Sequence, residues 1–264
     1  MRANRMRDKI RAGQPAFGVS MMIPSPQLVE MVGRLGFDWV LIDCEHGTIS
    51  LETVELMVMA AEASGLTPIG RPWKNSDDAI LRLMDRGVMG VQVPHVNTAA
   101  DAQRAVQAVK YHPLGTRGLA AGTRPAGYGL DVSPAAYAEW ANRETLVCVQ
   151  LEEAEALRNI DEILQVEGVD VFFVGPSDLS QSMGYPGQTG HPEVRAAIDG
   201  AFAAIVAAGK APGSAGGSEA IVDCLQKGCL YVYTHVPKLL SGASTAFFEA
   251  VRGASPDREE QGER

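Results

Sequence analysis

Two acidic side chains stand where they could share a metal ion. Glu152 and Asp178 each follow a short apolar segment, and they lie one strand–helix repeat apart. Two carboxylates forced together must share a proton or a cation. A hard divalent ion such as Mg²⁺ or Mn²⁺ suits that need. The residues alone leave an alternative open, in which Asp178 caps a short helix and Glu152 is a solvated acid.

An acid–histidine pair and an arginine follow two other apolar segments. In DCEHG, the Asp43 carboxylate could orient and charge the imidazole of His46, which would make that ring a general acid or base near neutral pH. The alternative is a buried histidine that fixes a loop. Arg71 would be a permanently charged donor beside a developing oxyanion or enolate. Its alternative is a salt bridge at the protein surface.

The remaining polar residues exclude other chemistries. Four histidines have no acidic neighbour in the sequence and are interpreted as structural: His95, His112, His191 and His235. A Schiff-base aldolase needs a lysine on a barrel strand, and the predicted strands contain none. No GxSxG sequence supports a serine hydrolase.

Short apolar segments alternate along the chain with segments of helical spacing, eight of each. The predicted strands are Ala16–Met21, Phe37–Asp43, Thr67–Gly70, Gly90–Val93, Thr145–Leu151, Val169–Val174, Ala211–Ser214 and Leu230–Thr234. The predicted helices are Ser25–Leu35, Leu51–Ala63, Ser76–Arg86, Thr98–Val109, Glu153–Leu164, Pro192–Ala208, Ser218–Lys227 and Val236–Val251. This count predicts an α/β fold, the closed (β/α)₈ TIM barrel. An open doubly wound sheet is the alternative, but its glycine-rich phosphate-binding motifs are missing.

The carboxyl ends of the strands carry the chemistry. Reactive side chains follow six of the eight predicted strands, and in a barrel all those ends face one rim. The sequence therefore predicts an enzyme rather than a scaffold. A glycine-rich interruption from about residue 112 to 141 is predicted to be a loop at the same mouth. Arg117 and Arg124 on it could bind the far carboxylate of an acidic substrate.

Composition sets limits on partners and location. The 264 residues carry a formal net charge of −9, which argues against nucleic acid as a partner. No apolar run approaches the ~20 residues that span a bilayer. The four cysteines match no zinc or redox spacing, and reduced thiols predict a cytoplasmic protein. We expect a short amphipathic helix at the N-terminus, one barrel domain over residues 1–252, and a flexible polar tail over residues 253–264.

Longer strings of the sequence resemble one enzyme family. VLIDCEHG, PIGRPW, GVMGVQVPHVNT, VQLEEAEALRNIDEIL and VEGVDVFFVGPSDLSQSMGYPGQTGHPEV are similar to the metal-dependent (class II) pyruvate aldolases. That family includes 4-hydroxy-2-oxoheptanedioate aldolase and 2-dehydro-3-deoxyglucarate aldolase, and the resemblance covers roughly Arg11 to Val251. It implies a barrel of the phosphoenolpyruvate/pyruvate type. It also implies a homo-hexamer whose subunits exchange the C-terminal helix.

The resemblance also implies a role for each site residue. Glu152 and Asp178 would hold the metal, Mg²⁺ or Mn²⁺ by preference, with Co²⁺ or Zn²⁺ as further options. Pyruvate would be held by Gln150, Gly175, Pro176 and Ser177. The catalytic group would be His46 as the base, Arg71 as the transition-state stabiliser, Asp85 as the acid that makes the histidine more basic, and Asp43.

The implied reaction is reversible cleavage of a 4-hydroxy-2-oxo acid to pyruvate and an aldehyde through a metal-bound pyruvate enolate. Such a reaction belongs to aromatic or sugar acid catabolism. The alternatives are a citrate-lyase-type lyase of a CoA thioester, oxaloacetate decarboxylation, and a non-catalytic binding barrel. The segments APGSAGGSE and YVYTH depart from the family pattern, so the sequence does not identify the aldehyde.

Overall fold

Eight parallel strands close into one barrel in sequence order. They are seen in a computed structural model that describes residues 2–254. The strands are β1 Ala16–Met21, β2 Trp39–Asp43, β3 Thr67–Arg71, β4 Gly90–Val93, β5 Leu146–Leu151, β6 Val171–Val174, β7 Ala211–Ala215 and β8 Tyr231–His235. The predicted (β/α)₈ barrel is confirmed, and each predicted strand overlaps an observed one.

Helices follow the strands and cover the outside of the barrel. They are α1 Arg5–Arg11, α2 Pro26–Arg34, α3 Leu51–Ala63, α4 Asp77–Arg86, α5 Ala99–Val109, α6 Pro134–Glu144, α7 Ala154–Arg158, α8 Ile160–Leu164, α9 Pro176–Ser182, α10 Pro192–Ala207, α11 Ser218–Gln226 and α12 Val236–Ala254. The predicted helix Glu153–Leu164 is two helices that meet at Asn159. Helices α6 and α9 were not predicted.

Side-chain alternation divides each strand between two cores. Alternate residues of a strand point to opposite faces of the sheet. In β2, Val40 and Ile42 pack outward in the large cluster under the helices, while Trp39 and Leu41 pack inside the barrel. The next inward position of that strand is Asp43, at the carboxyl end. The strand is therefore apolar where it must fill the interior and polar where the barrel opens.

Aromatic rings fill the amino half of the barrel. The Trp39 and Tyr231 ring centroids are 4.1 Å apart, and Phe173 stacks on Tyr233. A Cβ at Gly18 would lie 2.3 Å from Trp39 Cε2, so β1 needs glycine there. Helix α1 confirms the predicted N-terminal helix, and its buried face joins the same cluster.

The long interruption lies at the opposite end from the one predicted. Each helix of a βα barrel returns from the carboxyl rim to the amino rim, so the connection after α5 starts at the amino rim. Ion pairs hold it there, because Arg124 pairs with Glu62 near the end of α3 and Arg117 pairs with Asp85 near the end of α4. The predicted place at the mouth is wrong, and within this chain the two arginines are paired with carboxylates away from the cavity.

The C-terminal helix α12 is exposed along much of its length. Five large apolar side chains on it face solvent in the single chain: Leu239, Leu240, Phe247, Phe248 and Val251. The helix continues to Ala254, two residues into the predicted tail, and the rest of that tail lies outside the described residues. None of the helices within residues 2–254 combines the length and apolar character needed to cross a membrane.

Candidate active site

A cavity of about 720 Å³ opens at the carboxyl end of the barrel. Most of the residues predicted to form the site line it: His46, Arg71, Gln150, Gly175, Pro176, Ser177 and Asp178. They come from β2, β3, β5 and β6 or from the turns directly after them. The closed barrel therefore brings together side chains that are distant in the sequence, as predicted.

A buried ion pair joins the ends of β2 and β3. Arg71 donates from Nε to Asp43 Oδ1 at 2.9 Å and from Nη2 to Asp43 Oδ2 at 2.5 Å. Burial alone would raise the pKa of Asp43, but the guanidinium and two backbone N–H groups hold that pKa below its usual value. Strands β2 and β3 pair in register at these two residues, which explains the parallel two-bond geometry.

The Asp43 carboxylate, which was predicted to contact the His46 ring, pairs with Arg71 instead. Asp43 Oδ1 accepts the backbone N–H groups of Glu45 and His46, at 3.0 and 3.2 Å, and its remaining capacity goes to the arginine. The imidazole of His46 is half-exposed, and its Nε2 lies 3.8 Å from Glu45 Oε2. The predicted contact between the Asp43 carboxylate and the His46 ring is therefore wrong, although the ring does line the cavity.

Glu152 is a buried acid at the end of β5. Burial and, to a smaller extent, the nearby charge of Asp178 raise its pKa to about 7, against hydrogen bonds from Gln150 and from the backbone N–H of His95. Gln150 donates to Glu152 Oε2 and accepts from Gln92, which in turn accepts from the Tyr231 hydroxyl. This chain of buried hydrogen bonds fixes the orientation of the Glu152 carboxylate.

Glu152 lies in a cluster that the sequence analysis did not identify. Ligand atoms of Glu45, His95 and Glu152 all lie within 4.8 Å of one another. His95 has no acidic neighbour in the sequence, but in the fold its ring contacts three carboxylates. A signal was available, since β4 and β5 pair and His95 and Glu152 each follow the end of one of them.

The segment after β6 lies directly beside Glu152. Gly175 is the N-cap of α9, and Asp178 lies in the first turn of that seven-residue helix. A Cβ at Gly175 would lie 3.0 Å from Glu152 Cβ and 3.1 Å from Glu152 Oε2, so glycine permits the close approach. Asp178 lines the cavity and acts on the Glu152 carboxyl through its charge.

Asp85 is not brought to His46 within this chain. It lies near the end of α4, where it accepts a hydrogen bond from Arg117 Nη2 at 2.8 Å. The Arg117 side chain is fully buried and lies over the Tyr111 ring, 4.7 Å from its centroid. The position of Asp85 is explained by this ion pair at the amino rim.

The donor set of the rim fits a divalent cation. The carboxylates of Glu45 and Glu152 lie within 4.8 Å of each other beside the ring of His95, and the buried Glu45 Oε2 lies 3.3 Å from Arg71 Nε. Burial raises the pKa of Glu45, against the nearby charges of Arg71, His46 and His95. Carboxylate oxygens grouped in this way suit a hard cation.

Comparisons with known proteins agree on one family. The family description "HpcH/HpaI aldolase/citrate lyase" matches residues 19–224. A hydroxypyruvate/pyruvate aldolase of Sagittula stellata is 40% identical over 200 residues, which are 76% of this chain and 78% of that protein. A 4-hydroxy-2-oxo-heptane-1,7-dioate aldolase of Shigella sonnei is 37% identical over 252 residues, 95% of each chain. The crystal structure of a family protein from Burkholderia cenocepacia has a TM-score of 0.89 at 28% identity, covering 95% of this chain and 100% of that one.

Proposed function

The chain belongs to the HpcH/HpaI aldolase/citrate lyase family, and from that membership we propose the reaction that it catalyses. It is a lyase of the aldolase type that produces pyruvate. Its substrate is a 4-hydroxy-2-oxo acid, which is cleaved to pyruvate and an aldehyde. The aldolase names of relatives at 36–40% identity make a citrate-lyase-type reaction the weaker alternative.

The observation that carries the proposal is the buried Asp43–Arg71 pair, which lies beside Glu45 at the carboxyl end of the barrel. Arg71 is only 6% exposed, so its guanidinium is held in one place by Asp43 and faces the cavity with its remaining donors. A fixed, buried cation stabilises negative charge that develops on an oxygen of the substrate. The arrangement is therefore built for a reaction that passes through an enolate-like state.

We propose His46 as the residue that moves a proton. Its half-exposed ring lines the cavity near Arg71, where a substrate hydroxyl can reach it. Imidazole exchanges protons near neutral pH, as a general base must. In the cleavage direction His46 takes the proton of the C4 hydroxyl, which allows the C3–C4 bond to break and releases the aldehyde.

Oxygen ligands from two neighbouring strand ends would hold the metal. Glu152 after β5 and Asp178 after β6 are the proposed ligands, and the charge of Asp178 already acts on Glu152. A bound divalent ion supplies a Lewis acid that draws electrons from the carbonyl of the substrate. Gln150 and the segment 175–177 line the same side of the cavity and would orient the keto acid.

The exposed face of α12 supports an oligomer. A row of large apolar side chains on a protruding helix needs a partner surface. We therefore propose the exchange of α12 between subunits of a homo-hexamer. The four cysteines are free thiols, which supports a cytoplasmic location.

A pyruvate-release assay tests the proposed reaction. A panel of 4-hydroxy-2-oxo acids is offered to the purified enzyme with EDTA, and then after Mg²⁺ or Mn²⁺ is added back. Cleavage should stop with EDTA and return with metal, and Asp178→Ala should abolish both cleavage and metal binding while the fold is kept. Glu219→Gln, which removes a carboxylate from the outer part of the same cavity, is the matched control. Full activity of the wild type in EDTA would refute the metal-dependent mechanism.

A further inference from the structure

A polar side chain lies among the aromatic rings inside the barrel. Gln92 is fully buried on β4, and it pairs in register with Cys148, two residues before Gln150 on β5. Gln150 lines the cavity, so Gln92 lies one inward layer below it. A buried amide costs free energy unless each of its polar groups has a hydrogen-bond partner.

Each polar atom of the Gln92 amide is paired with a buried side chain. Its Oε1 accepts from the Tyr231 hydroxyl at 3.0 Å. Its Nε2 donates to Gln150 Oε1 and to the Tyr233 hydroxyl, the latter at 3.3 Å. All three partners are buried. A fully paired network in the interior selects one arrangement of its members.

The direction of this network is set by a carboxylate at its upper end. The tyrosine hydroxyls can donate or accept, and either amide could be turned over without a change of shape. A metal-binding Glu152 is ionised and can only accept, so Gln150 must face it with the amide nitrogen, as observed. The Gln150 oxygen then points away from the cavity and needs a donor, which is Gln92 Nε2.

We infer that Gln92 is a positioning residue for Gln150 and holds the NH₂ group of Gln150 toward the keto acid. The inference rests on the proposed function, in which Gln150 orients that substrate. The bond between the two amides lies below the cavity, so it holds Gln150 in the same orientation when a substrate enters. An N–H donor suits an oxygen of the keto acid, whereas a turned amide would present a second acceptor to it.

Tyr231 supports Gln92 from the opposite side. Its hydroxyl donates to Gln92 Oε1, and its ring packs against Trp39 with the ring centroids 4.1 Å apart. A rigid ring thus fixes the first member of the network. The order of donors runs from β8 through β4 to β5.

A double-mutant cycle on the binding of pyruvate tests the inference. Gln92→Met keeps the length of the side chain and removes its polar groups, and Gln150→Met does the same one layer above. The dissociation constant of pyruvate is measured by calorimetry at saturating Mn²⁺, which requires no turnover. Gln92→Met should weaken pyruvate binding by about tenfold. In the Gln150→Met background it should add less than about twofold, because it acts only through Gln150.

Two further variants separate this role from packing. Cys148→Ala removes volume from the same inward layer without removing a hydrogen bond of Gln92, and it should bind pyruvate as the wild type does. Tyr231→Phe keeps the ring packing and should weaken binding by about fivefold, the effect of one hydrogen bond. If Gln92→Met does not fold, the same cycle is carried out with Tyr231→Phe and Gln150→Met.

Several outcomes would overturn the inference. Additive effects in the cycle would show that Gln92 does not act through Gln150. A lower Tm of Gln92→Met with unchanged pyruvate binding would show a purely structural role, and so would equal losses in Gln92→Met and Cys148→Ala. If the wild type releases pyruvate from a 4-hydroxy-2-oxo acid and the cycle is additive, the proposed function stands and the inference fails. If it releases none from the panel, the proposed function itself fails.

Discussion

Arg71 shows how a buried charge is made useful at the scale of one residue. A guanidinium in the interior needs a partner, and Asp43 provides two parallel hydrogen bonds in register on the neighbouring strand. Because the arginine fork matches the carboxylate, its orientation is set before a substrate arrives. A lysine would carry the same charge without that fixed geometry.

Substituting Arg71→Lys should therefore separate charge from geometry. We expect kcat to fall by about 10²- to 10³-fold, which is typical for the loss of one positioned donor, while Mn²⁺ affinity changes little. The measurement is steady-state pyruvate release together with calorimetry of metal binding. A variant with unchanged kcat would remove Arg71 from the proposed mechanism.

Gly175 matters because of how closely it approaches Glu152. In Gly175→Ala the new Cβ would press on the Glu152 side chain at 3.0 to 3.1 Å, so the carboxylate must shift. We expect metal affinity and kcat/KM both to fall by about tenfold, the size of effect seen when groups that orient a ligand are disturbed. Gly190 lines the same cavity, and a Cβ added there would have open space around it, so Gly190→Ala should behave as wild type. Equal effects of the two substitutions would contradict the explanation.

At the scale of elements, the connection between α5 and β5 explains an error of sequence interpretation. Its glycine-rich sequence resembles that of a functional loop, and the strand count was correct. A connection that leaves a helix starts at the amino rim, however, while a connection that leaves a strand starts at the mouth. The composition of the loop does not reveal which of these it is. Ion pairs with the ends of α3 and α4 show the answer.

Asp85→Asn tests the structural role of this connection. The fully buried Arg117 would lose its carboxylate partner, and breaking a buried ion pair typically costs about 3–5 kcal/mol. We expect Tm to fall by about 10 °C for a protein of this size. Asp78→Asn, on the exposed face of the same helix, should leave Tm near that of wild type. An unchanged Tm with a shifted pH–rate profile would favour the catalytic role that the family resemblance implies for Asp85.

Lys110 at the end of α5 provides a prediction about pH. Its Nζ donates to the Thr145 and Asn142 carbonyls, and burial lowers its pKa to about 8. Between pH 8 and its ordinary value of 10.5, the unfolded chain keeps this proton and the folded chain does not. Stability must then rise with pH in that window, by at most on the order of 3 kcal/mol.

The check on Lys110 is a difference measurement. The free energy of unfolding is determined by urea titration from pH 7.5 to 9.5 for the wild type and for Lys110→Met. The wild type should gain stability relative to the variant as pH rises, since only the wild type sheds a buried charge. Parallel pH profiles for the two proteins would contradict the assignment.

The sequence predicts repeated local features well and contacts between elements poorly. Strands were found because each is short, apolar and bounded by turn residues, and several site residues were found because they follow those strands. The contacts between these side chains were not predicted, because Asp43 pairs with Arg71 on the neighbouring strand rather than with His46 in its own segment. His95 was missed for the same reason, because its acidic neighbours lie on other strands.

At the scale of the whole molecule, α12 is a helix whose large apolar side chains are left exposed in a single chain. Phe247 and Phe248 are more than half exposed on it, which is unusual for large aromatic rings unless another surface covers them. The double substitution Phe247→Asp/Phe248→Asp should therefore convert the proposed hexamer into smaller species. Light scattering after size exclusion would measure this, with Glu249→Gln as the control on the same helix. A hexameric double variant would show that these rings do not hold the assembly together.

The aromatic packing in the amino half of the barrel has a consequence for how substrates and products reach and leave the site. Because aromatic side chains and α1 close that end of the barrel, substrates and products enter and leave through the cavity at the carboxyl end. In the proposed reaction, pyruvate would lie at the bottom of the cavity, beside Gln150 and the proposed metal ligand Glu152, and the aldehyde would lie above it. In that arrangement the aldehyde must leave before pyruvate can, so product release is ordered. In synthesis the keto acid must come first, and a saturating aldehyde should slow turnover by blocking the way in.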